Sequence, residues 1–184
     1  DTVFPQVILT NSHDGKNAFQ FQCGMYRMVC SNGLVIADAE FGKMRIRHMG
    51  YDFEALRVLM NEMVEELPLT VESMNKFKQT ELSINQKYDL ARKALETRFK
   101  ALEHQKIDQT FKIDLDKLLA PVRKADKGND LWSVFNVVQE KIVEGDFEYI
   151  SGAKLRKARK IKNFKQDLEV NQKLFAVAKE FVMV

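Results

Sequence analysis

The stretch at residues 11–48, NSHDGKNAFQFQCGMYRMVCSNGLVIADAEFGKMRIRH, contains the features that decide the fold. It opens with turn-forming residues at 11–17, where Asp14-Gly15 is typical of a tight hairpin. Residues 18–23 and 43–48 each alternate between apolar and polar side chains, and this period of two predicts half-buried antiparallel strands. Residues 34–37 (LVIA) add a short buried strand. The stretch therefore predicts an antiparallel sheet.

The neighbouring segments extend this sheet and leave one ambiguity. Residues 3–10 (VFPQVILT) are rich in β-branched and aromatic side chains and predict another strand, in which Pro5 indicates an edge position or a strand start. Residues 24–33 fit either a short helix that ends at Asn32-Gly33 or a second hairpin with its turn there. We favour the short helix.

After Gly50 the apolar period becomes that of a helix. One helix is predicted to begin near Asp52 and to stop before Pro68, and a shorter one spans residues 70–79. Ser83 and Gln86 form a capping box at the start of a second long helix. The heptad-like spacing of both apolar stripes fits two helices packed along each other or a homo-oligomer through amphipathic helices. The stripes consist of Phe53, Leu56, Met60, Met63 and Leu67, and of Ile84, Tyr88, Ala91, Leu95, Phe99 and Leu102.

The last third of the chain predicts further helices. A short helix at 115–119 ends before Pro121, and residues 122–129 (VRKADKGN) form a loop or linker. Asp130 caps a helix at 131–144 that Gly145 closes. Its apolar face is predicted core, with Asn136 and Gln139 as the polar members within reach of a site. The apolar face contains Trp132, Phe135, Val138 and Ile142.

Together these segments predict the α+β class: an N-terminal antiparallel sheet of three or four strands packed against helices, followed by long amphipathic helices. Residues 1–121 would form the core with its long helical pair. The loop or linker at 122–129 leads to a helical C-terminal part at 130–184, packed on the core as one domain.

Composition restricts the class of protein and its compartment. With 184 residues, 45% hydrophobic and 30% charged, the chain is globular rather than disordered or fibrous. A net charge of +3 is too small by itself to indicate nucleic acid. Two cysteines, Cys23 and Cys30, match no disulfide framework or zinc motif. Since no apolar run could span a membrane, we expect a cytoplasmic protein without membrane contact.

Three passages of the sequence resemble a known family. They are NSHDG at 11–15 followed by RMVCSNGL at 27–34, RIRH at 45–48 leading into a helix, and LWSVFNVVQEKI at 131–142. These strings are similar to phage- and plasmid-encoded proteins of domain-of-unknown-function family 932. The resemblance implies a mobile element and the host cytoplasm, and it supplies no activity, cofactor or catalytic residue. The family usually has a segment before NSHDG that this chain lacks, so we expect part of the native protein to be missing.

A basic run at residues 154–165 is the first functional signal. Seven cations fall within twelve residues without one acid, beside an apolar stripe that would dock a helix. Such a surface binds phosphates by releasing counterions, although a solvated helix face or an anionic membrane surface would explain it too. The cations are Lys154, Arg156, Lys157, Arg159, Lys160, Lys162 and Lys165.

Three more cations, Lys43, Arg45 and Arg47, share one face of a predicted strand. Their mutual repulsion indicates an anion opposite them, unless nearby glutamates pair with them. The order of three strands and a helix is similar to the core of single-strand annealing recombinases of phages. Our first hypothesis is therefore a non-catalytic protein, without a cofactor, that binds single-stranded DNA in recombination or replication of a mobile element.

Two other hypotheses stay open. The amphipathic helices would make the chain a protein-interaction or oligomerisation module. A metal-dependent nuclease would use His13, Asp14 and His48, whose imidazoles and carboxylate can hold a metal ion. Asx-type hydrogen bonds explain the turn around Asp14 without any chemistry. Cys30 is a candidate nucleophile only if a cation or a helix N-terminus lowers its pKa.

Overall fold

The computed structural model describes residues 3–10, 19–27, 44–46, 53–99, 111–151 and 154–182. The chain forms two compact units, Asp1–Ser73 and Met74–Val184. Strands and helices contribute to both units, which confirms the predicted α+β class.

The first unit contains three antiparallel strands in the order β1-β2-β3: β1 (Val3–Thr10), β2 (Phe19–Arg27) and β3 (Met44–Ile46). The β1–β2 ladder runs from Thr10 opposite Gln20 to Val3 opposite Arg27. Among the described strands of this sheet β1 lies at the edge, a position that tolerates a proline such as Pro5. The packing of helices on these strands stays a prediction.

The favoured short helix at 24–33 is wrong over its first four residues. Strand β2 continues to Arg27 because its backbone keeps pairing with β1, and this pairing outweighs the helical spacing of the methionines. The remainder of that segment, the Asp14-Gly15 turn and the strand predicted at 34–37 lie outside the described residues.

Helix α1 (Phe53–Gln79) joins two helices that the sequence predicted as separate. Pro68 lies inside it instead of ending it. Proline removes the hydrogen bond to the carbonyl of residue 64. Both Val64 and Pro68 are exposed, so water can bond the freed carbonyl. The prediction overestimated the power of proline to stop a solvent-exposed helix.

The second unit is built from four further helices around an apolar core. Ser83 and Gln86 form the predicted capping box of α2, and Asp130 and Gly145 bound α4 as expected, with Gly145 at φ 73°. A 3-10 turn at Lys124–Asp126 lies within the predicted loop at 122–129. The helices are α2 (Ile84–Arg98), α3 (Leu115–Leu119), α4 (Leu131–Glu144) and α5 (Phe164–Lys179).

Helix α4 is the centre of this core, as its apolar face predicted. Trp132, Phe135, Val138 and Ile142 are at most 3% exposed. The Phe135 ring centroid lies 6.1 Å from that of Phe77 and 6.2 Å from that of Phe175, which belongs to α5. Burial of such side chains contributes about 1.5 to 3 kcal/mol each, so α4 is the main stabilising helix of the unit.

A second antiparallel sheet lies in the C-terminal unit, where only helices were predicted. It consists of β4 (Phe111–Ile113), β5 (Glu148–Ser151) and β6 (Lys154–Lys157), in that order. The sheet in the same unit as the helical core is therefore the C-terminal one. The sequence had predicted that the sheet packed against helices would be N-terminal, and this placement is wrong. The basic run is not a helix either, because its first four residues pair with Glu148–Ser151. This pairing with the strand directly before it overrides an apolar spacing that suits a helix.

Candidate nucleic-acid interface

The predicted cations fall into two groups that belong to different units. In the first, Arg45 is a residue of β3, and Lys43 and Arg47 lie outside the described residues. In the second, the cations follow one another along β6 and the segment after it. That group contains Lys154, Arg156 and Lys157 in the strand and Arg159, Lys160 and Lys162 beyond it, while the side chain of Lys165 at the start of α5 is not described.

Most cations of the second group are exposed and lack a carboxylate partner within the described ranges. Lys160 is the exception, since its Nζ lies 2.7 Å from Glu144 Oε1. The other five described members form no ion pair with any described residue and present their charge to solvent. They are Lys154, Arg156, Lys157, Arg159 and Lys162.

Two backbone hydrogen bonds hold the segment after β6 in place. The Ala158 N–H donates to the Phe147 carbonyl at 3.0 Å, and the Ile161 N–H donates to the Val143 carbonyl at 2.9 Å. Ala158 and Ile161 are also buried, at 8% and 7% exposure. These two members of the predicted apolar stripe therefore dock this segment in a non-helical form that leaves the intervening Arg159 at the surface, whereas Leu155 of the same stripe is 66% exposed.

Gly145 makes the close approach of this segment possible. It adopts the left-handed conformation that ends α4, and a Cβ atom there would lie 2.5 Å from the carbonyl carbon of Arg159. Glycine is the residue that combines this φ with so short a distance. The end of α4 thereby fixes the backbone position of a predicted site residue.

Arg98, at the end of α2, joins the same elements from the other direction. Its guanidinium donates hydrogen bonds to the carbonyls of Ile142 and Arg159. Burial lowers the pKa of this guanidinium from its ordinary value, and nearby Tyr149 opposes the shift. Arginine still remains protonated in proteins. Arg98 therefore places a fixed, half-buried positive charge beside the basic segment.

Three aromatic rings surround this guanidinium. The ring centroids of Phe99 and Tyr149 lie 5.2 Å apart, and that of Phe147 lies 6.2 Å from Phe99 and 6.4 Å from Tyr149. The Arg98 carbon Cζ lies 5.4 Å from the centroid of Phe147. Phe147 is buried, whereas Phe99 and Tyr149 are half-buried. The cluster therefore combines one buried ring, that of Phe147, with two rings that reach the surface.

Rings and cations meet at an open cavity of about 610 Å³. Four cationic side chains line it, together with the half-buried rings and one alanine, and its described lining includes no acid. This volume suits a small organic ligand or part of a larger one. The lining residues are Arg98, Phe99, Tyr149, Arg156, Lys157, Ala158 and Arg159.

A second groove, of about 590 Å³, runs along the same sheet and contains charges of both signs. Four lysines and three carboxylates line it, and two of these carboxylates pair with lysines at 3.8 and 3.9 Å. Carboxylates there would repel phosphate. The 610 Å³ cavity is thus the better anion site, and we call it the cationic cavity.

The sequence prediction found three of the four cations of the cationic cavity but missed Arg98 and both rings. Alternation of Phe147 and Tyr149 along residues 147–150 was the available signal for a strand with an aromatic face. No local pattern indicates that this face meets the end of α2, about fifty residues earlier in the chain.

Asn136 and Gln139, predicted to be within reach of a site, are core residues instead. They are 1% and 2% exposed. The Asn136 Nδ2 donates to the Trp132 carbonyl at 2.6 Å, and the Gln139 Nε2 donates to Asn171 Oδ1 at 2.7 Å. Asn171 in turn donates to Asp167 Oδ1 at 3.1 Å. Burial raises the pKa of the Asp167 carboxyl, and this hydrogen bond opposes the rise.

The alternative catalytic candidates lie outside the described residues. This holds for His13, Asp14 and His48 of the metal hypothesis and for Cys30, so both hypotheses stay predictions. Within the described ranges, no group of three or more histidine, cysteine or acidic side chains could hold a metal ion. None of the described helices combines the length and apolarity that crossing a bilayer requires.

Comparison with protein families gives a match over nearly the whole chain. The model named "Domain of unknown function (DUF932)" matches residues 1–175. The chain belongs to the DUF932 family. This membership confirms the resemblance seen in the three sequence passages, and the family's printed description names no activity.

Two relatives of this DUF932 chain come from Escherichia coli K12. UPF0380 protein YfjQ is 31% identical over 186 residues, and UPF0380 protein YafZ is 29% identical over 178 residues. Each alignment covers 95% of this chain but only 61% of the relative. No solved structure matches the chain.

Proposed function

We propose that this protein binds nucleic acid, with single-stranded DNA favoured, and serves recombination or replication of a mobile element without catalysis. The cationic cavity is the observation that supports the proposal, because its described lining has four cations and no acid. Exposed cations also suit a solvated basic face, but the cavity differs from such a face because it combines them with two half-buried aromatic rings.

The electrostatics of the cavity favour an anionic ligand with repeated charges. Like charges gathered around one cavity repel one another and so raise the free energy of the unliganded protein. A phosphate among them removes this repulsion and releases its own counterions, which drives association at low salt. Lys154 and Lys162 extend the positive surface along β6 and towards α5, so a chain of phosphates fits it better than one isolated anion.

A single strand fits this surface better than a duplex. The cations line a concave site against an aromatic wall, where the unpaired bases of a single strand can approach the rings. In a duplex the bases are stacked inside and paired. Lys43, Arg45 and Arg47 of the first unit are proposed separately as contacts to a nucleic-acid backbone.

Fluorescence anisotropy of labelled oligonucleotides tests this proposal. If the four cations of the cavity neutralise four phosphates of a single strand, log K should fall with log salt at a slope of about −3, or roughly 50-fold between 50 and 200 mM. The double variant Arg156→Ala/Arg159→Ala should reduce this slope by about 1.4. No association at the lowest salt would refute the proposal.

A charge-matched control separates the cavity from net charge. The variant Lys124→Ala/Lys127→Ala removes the same two charges from exposed positions at the 3-10 turn. It should keep at least half of the wild-type affinity and an unchanged slope. Equal losses in both double variants would mean that net charge, rather than the cationic cavity, determines binding.

The alternative of an oligomerisation module also has a supporting observation. Phe53, Met60, Val64 and Val71 follow one another at spacings of seven, four and seven residues, which places them on one face of α1. They are 67%, 46%, 65% and 43% exposed. Sedimentation equilibrium tests this role: an oligomer that persists in 1 M salt and dissociates in Met60→Glu/Val64→Glu would support it.

A further inference from the structure

We propose that the rings of Tyr149 and Phe99 form a stacking subsite for one unpaired nucleobase, with Arg156 binding the adjoining phosphate. This inference rests on the proposed nucleic-acid binding and names the part of the ligand that the aromatic wall contacts. The subsite recognises the planar face that all bases share, so it distinguishes strands with accessible bases from other polyanions.

The rings of the aromatic cluster differ in burial and in what they line. Phe147 is 6% exposed and lies between α4 and β5, where an apolar ring is needed to fill the core. Tyr149 and Phe99 are half-buried, and both line the cationic cavity. Aromatic surface beside several cations is the combination with which proteins bind single strands without sequence preference.

The strand register places a cation directly beside the proposed stacking ring. Tyr149 in β5 pairs with Arg156 in β6. Directly paired residues project from the same face of a sheet, with Cβ atoms about 4.5 to 5.5 Å apart. A base that stacks on Tyr149 therefore brings its own phosphate within reach of the Arg156 guanidinium, which can bind two phosphate oxygens at once.

Arg98 makes this wall rigid. Its two hydrogen bonds to backbone carbonyls fix the guanidinium, which lies 5.9 Å from the Phe99 ring centroid and 5.4 Å from that of Phe147. The Phe99 and Phe147 rings thus pack against a fixed guanidinium before a ligand arrives. A preformed surface loses little conformational entropy when a base stacks on it.

The test compares two probes with the same phosphates. One is oligothymidylate, and the other is an abasic strand of equal length that has the sugar and phosphate groups but no bases. Wild-type protein should bind oligothymidylate about 5- to 150-fold more tightly, the factor that one stacked base corresponds to. Tyr149→Leu should lose most of this factor, and Tyr149→Phe should keep it.

Controls separate the subsite from folding and from the general charge effect. Trp132, the single tryptophan of the chain and 3% exposed, reports through its fluorescence whether each variant is folded. Arg156→Ala should weaken binding of both probes by the same factor, because both contain phosphates.

Each outcome decides between the two proposals. If wild-type protein binds both probes equally and with steep salt dependence, the stacking subsite is refuted while nucleic-acid binding stands. A folded Tyr149→Leu that keeps the full preference for bases refutes the subsite too. If neither probe binds at low salt, both proposals fail together.

Discussion

Replacing Gly145 tests whether the end of α4 positions the basic segment. Its φ of 73° costs a residue with a Cβ about 1 to 2 kcal/mol. In addition, the Cβ of Gly145→Ala would lie 2.5 Å from the Arg159 carbonyl carbon, whereas ordinary contacts begin at 3.4 Å. The segment around Arg159 must therefore move by about 1 Å.

That movement strains the hydrogen bonds of Ala158 and Ile161 to the ends of α4 and β5. Each such bond contributes about 0.5 to 1.5 kcal/mol. We expect Gly145→Ala to lower the free energy of unfolding by about 2 to 5 kcal/mol in total. Urea denaturation followed by Trp132 fluorescence measures this change, since that side chain is buried in the same unit.

Gly145→Asn separates the two causes of this loss. Asparagine tolerates the left-handed conformation but has the same Cβ, so it removes most of the conformational cost and leaves the collision. We expect it to destabilise the unit by about 1 to 3 kcal/mol and to weaken oligonucleotide binding by displacing Arg159. An asparagine variant within about 0.5 kcal/mol of wild type would refute the close approach as the reason for glycine here.

Three further predictions concern Arg98, Asp130 and Asp167. Arg98→Met leaves two carbonyls without their charged donor and should destabilise the unit by about 2 to 4 kcal/mol in urea denaturation. Arg98→Lys should destabilise it less, and equal effects of the two variants would show that the guanidinium fork is unimportant. Asp130 caps α4, because its Oδ1 accepts from the Ser133 N–H at 2.9 Å. Asp130→Ala should lower the free energy of unfolding by about 1 to 2 kcal/mol, whereas Asp130→Asn should largely preserve it. The pKa of Asp167 is raised by burial, so the folded state binds its proton more tightly than the unfolded state, and this stabilisation is lost as pH rises through the folded pKa. Asp167→Asn should therefore stabilise the protein at pH 7 but not at pH 3 in thermal denaturation, and a neutral or opposite effect at pH 7 would contradict this.

Helix α4 shows which parts of the fold were predictable from the sequence. Asp130, the apolar face and Gly145 are local signals that act within one segment, and both ends were predicted to the residue. Helix α1 shows the opposite case at Pro68. The cost of that proline depends on whether water reaches the freed carbonyl, and the local sequence does not indicate how exposed that carbonyl is.

The cationic cavity was only partly predictable for a related reason. Its exposed cations were visible as a run of like charges, but their secondary structure depends on pairing with Glu148–Ser151. Arg98 and Tyr149 come together through helix packing and strand pairing between distant segments. A single sequence specifies such partners only through the whole fold, so the alternation around Tyr149 could indicate a strand but not its neighbour Arg98.

Strand β6 has a consequence for how copies of the protein behave at high concentration. Among the described strands it is the outer one of its sheet, so its outer edge offers backbone N–H and C=O groups that could pair with the same strand of another molecule. Three of its four residues are cations, and their mutual repulsion opposes such edge-to-edge aggregation. Neutralising them would therefore reduce colloidal stability, and concentrated samples of Lys154→Ala/Arg156→Ala/Lys157→Ala should precipitate in conditions where the wild-type protein stays in solution.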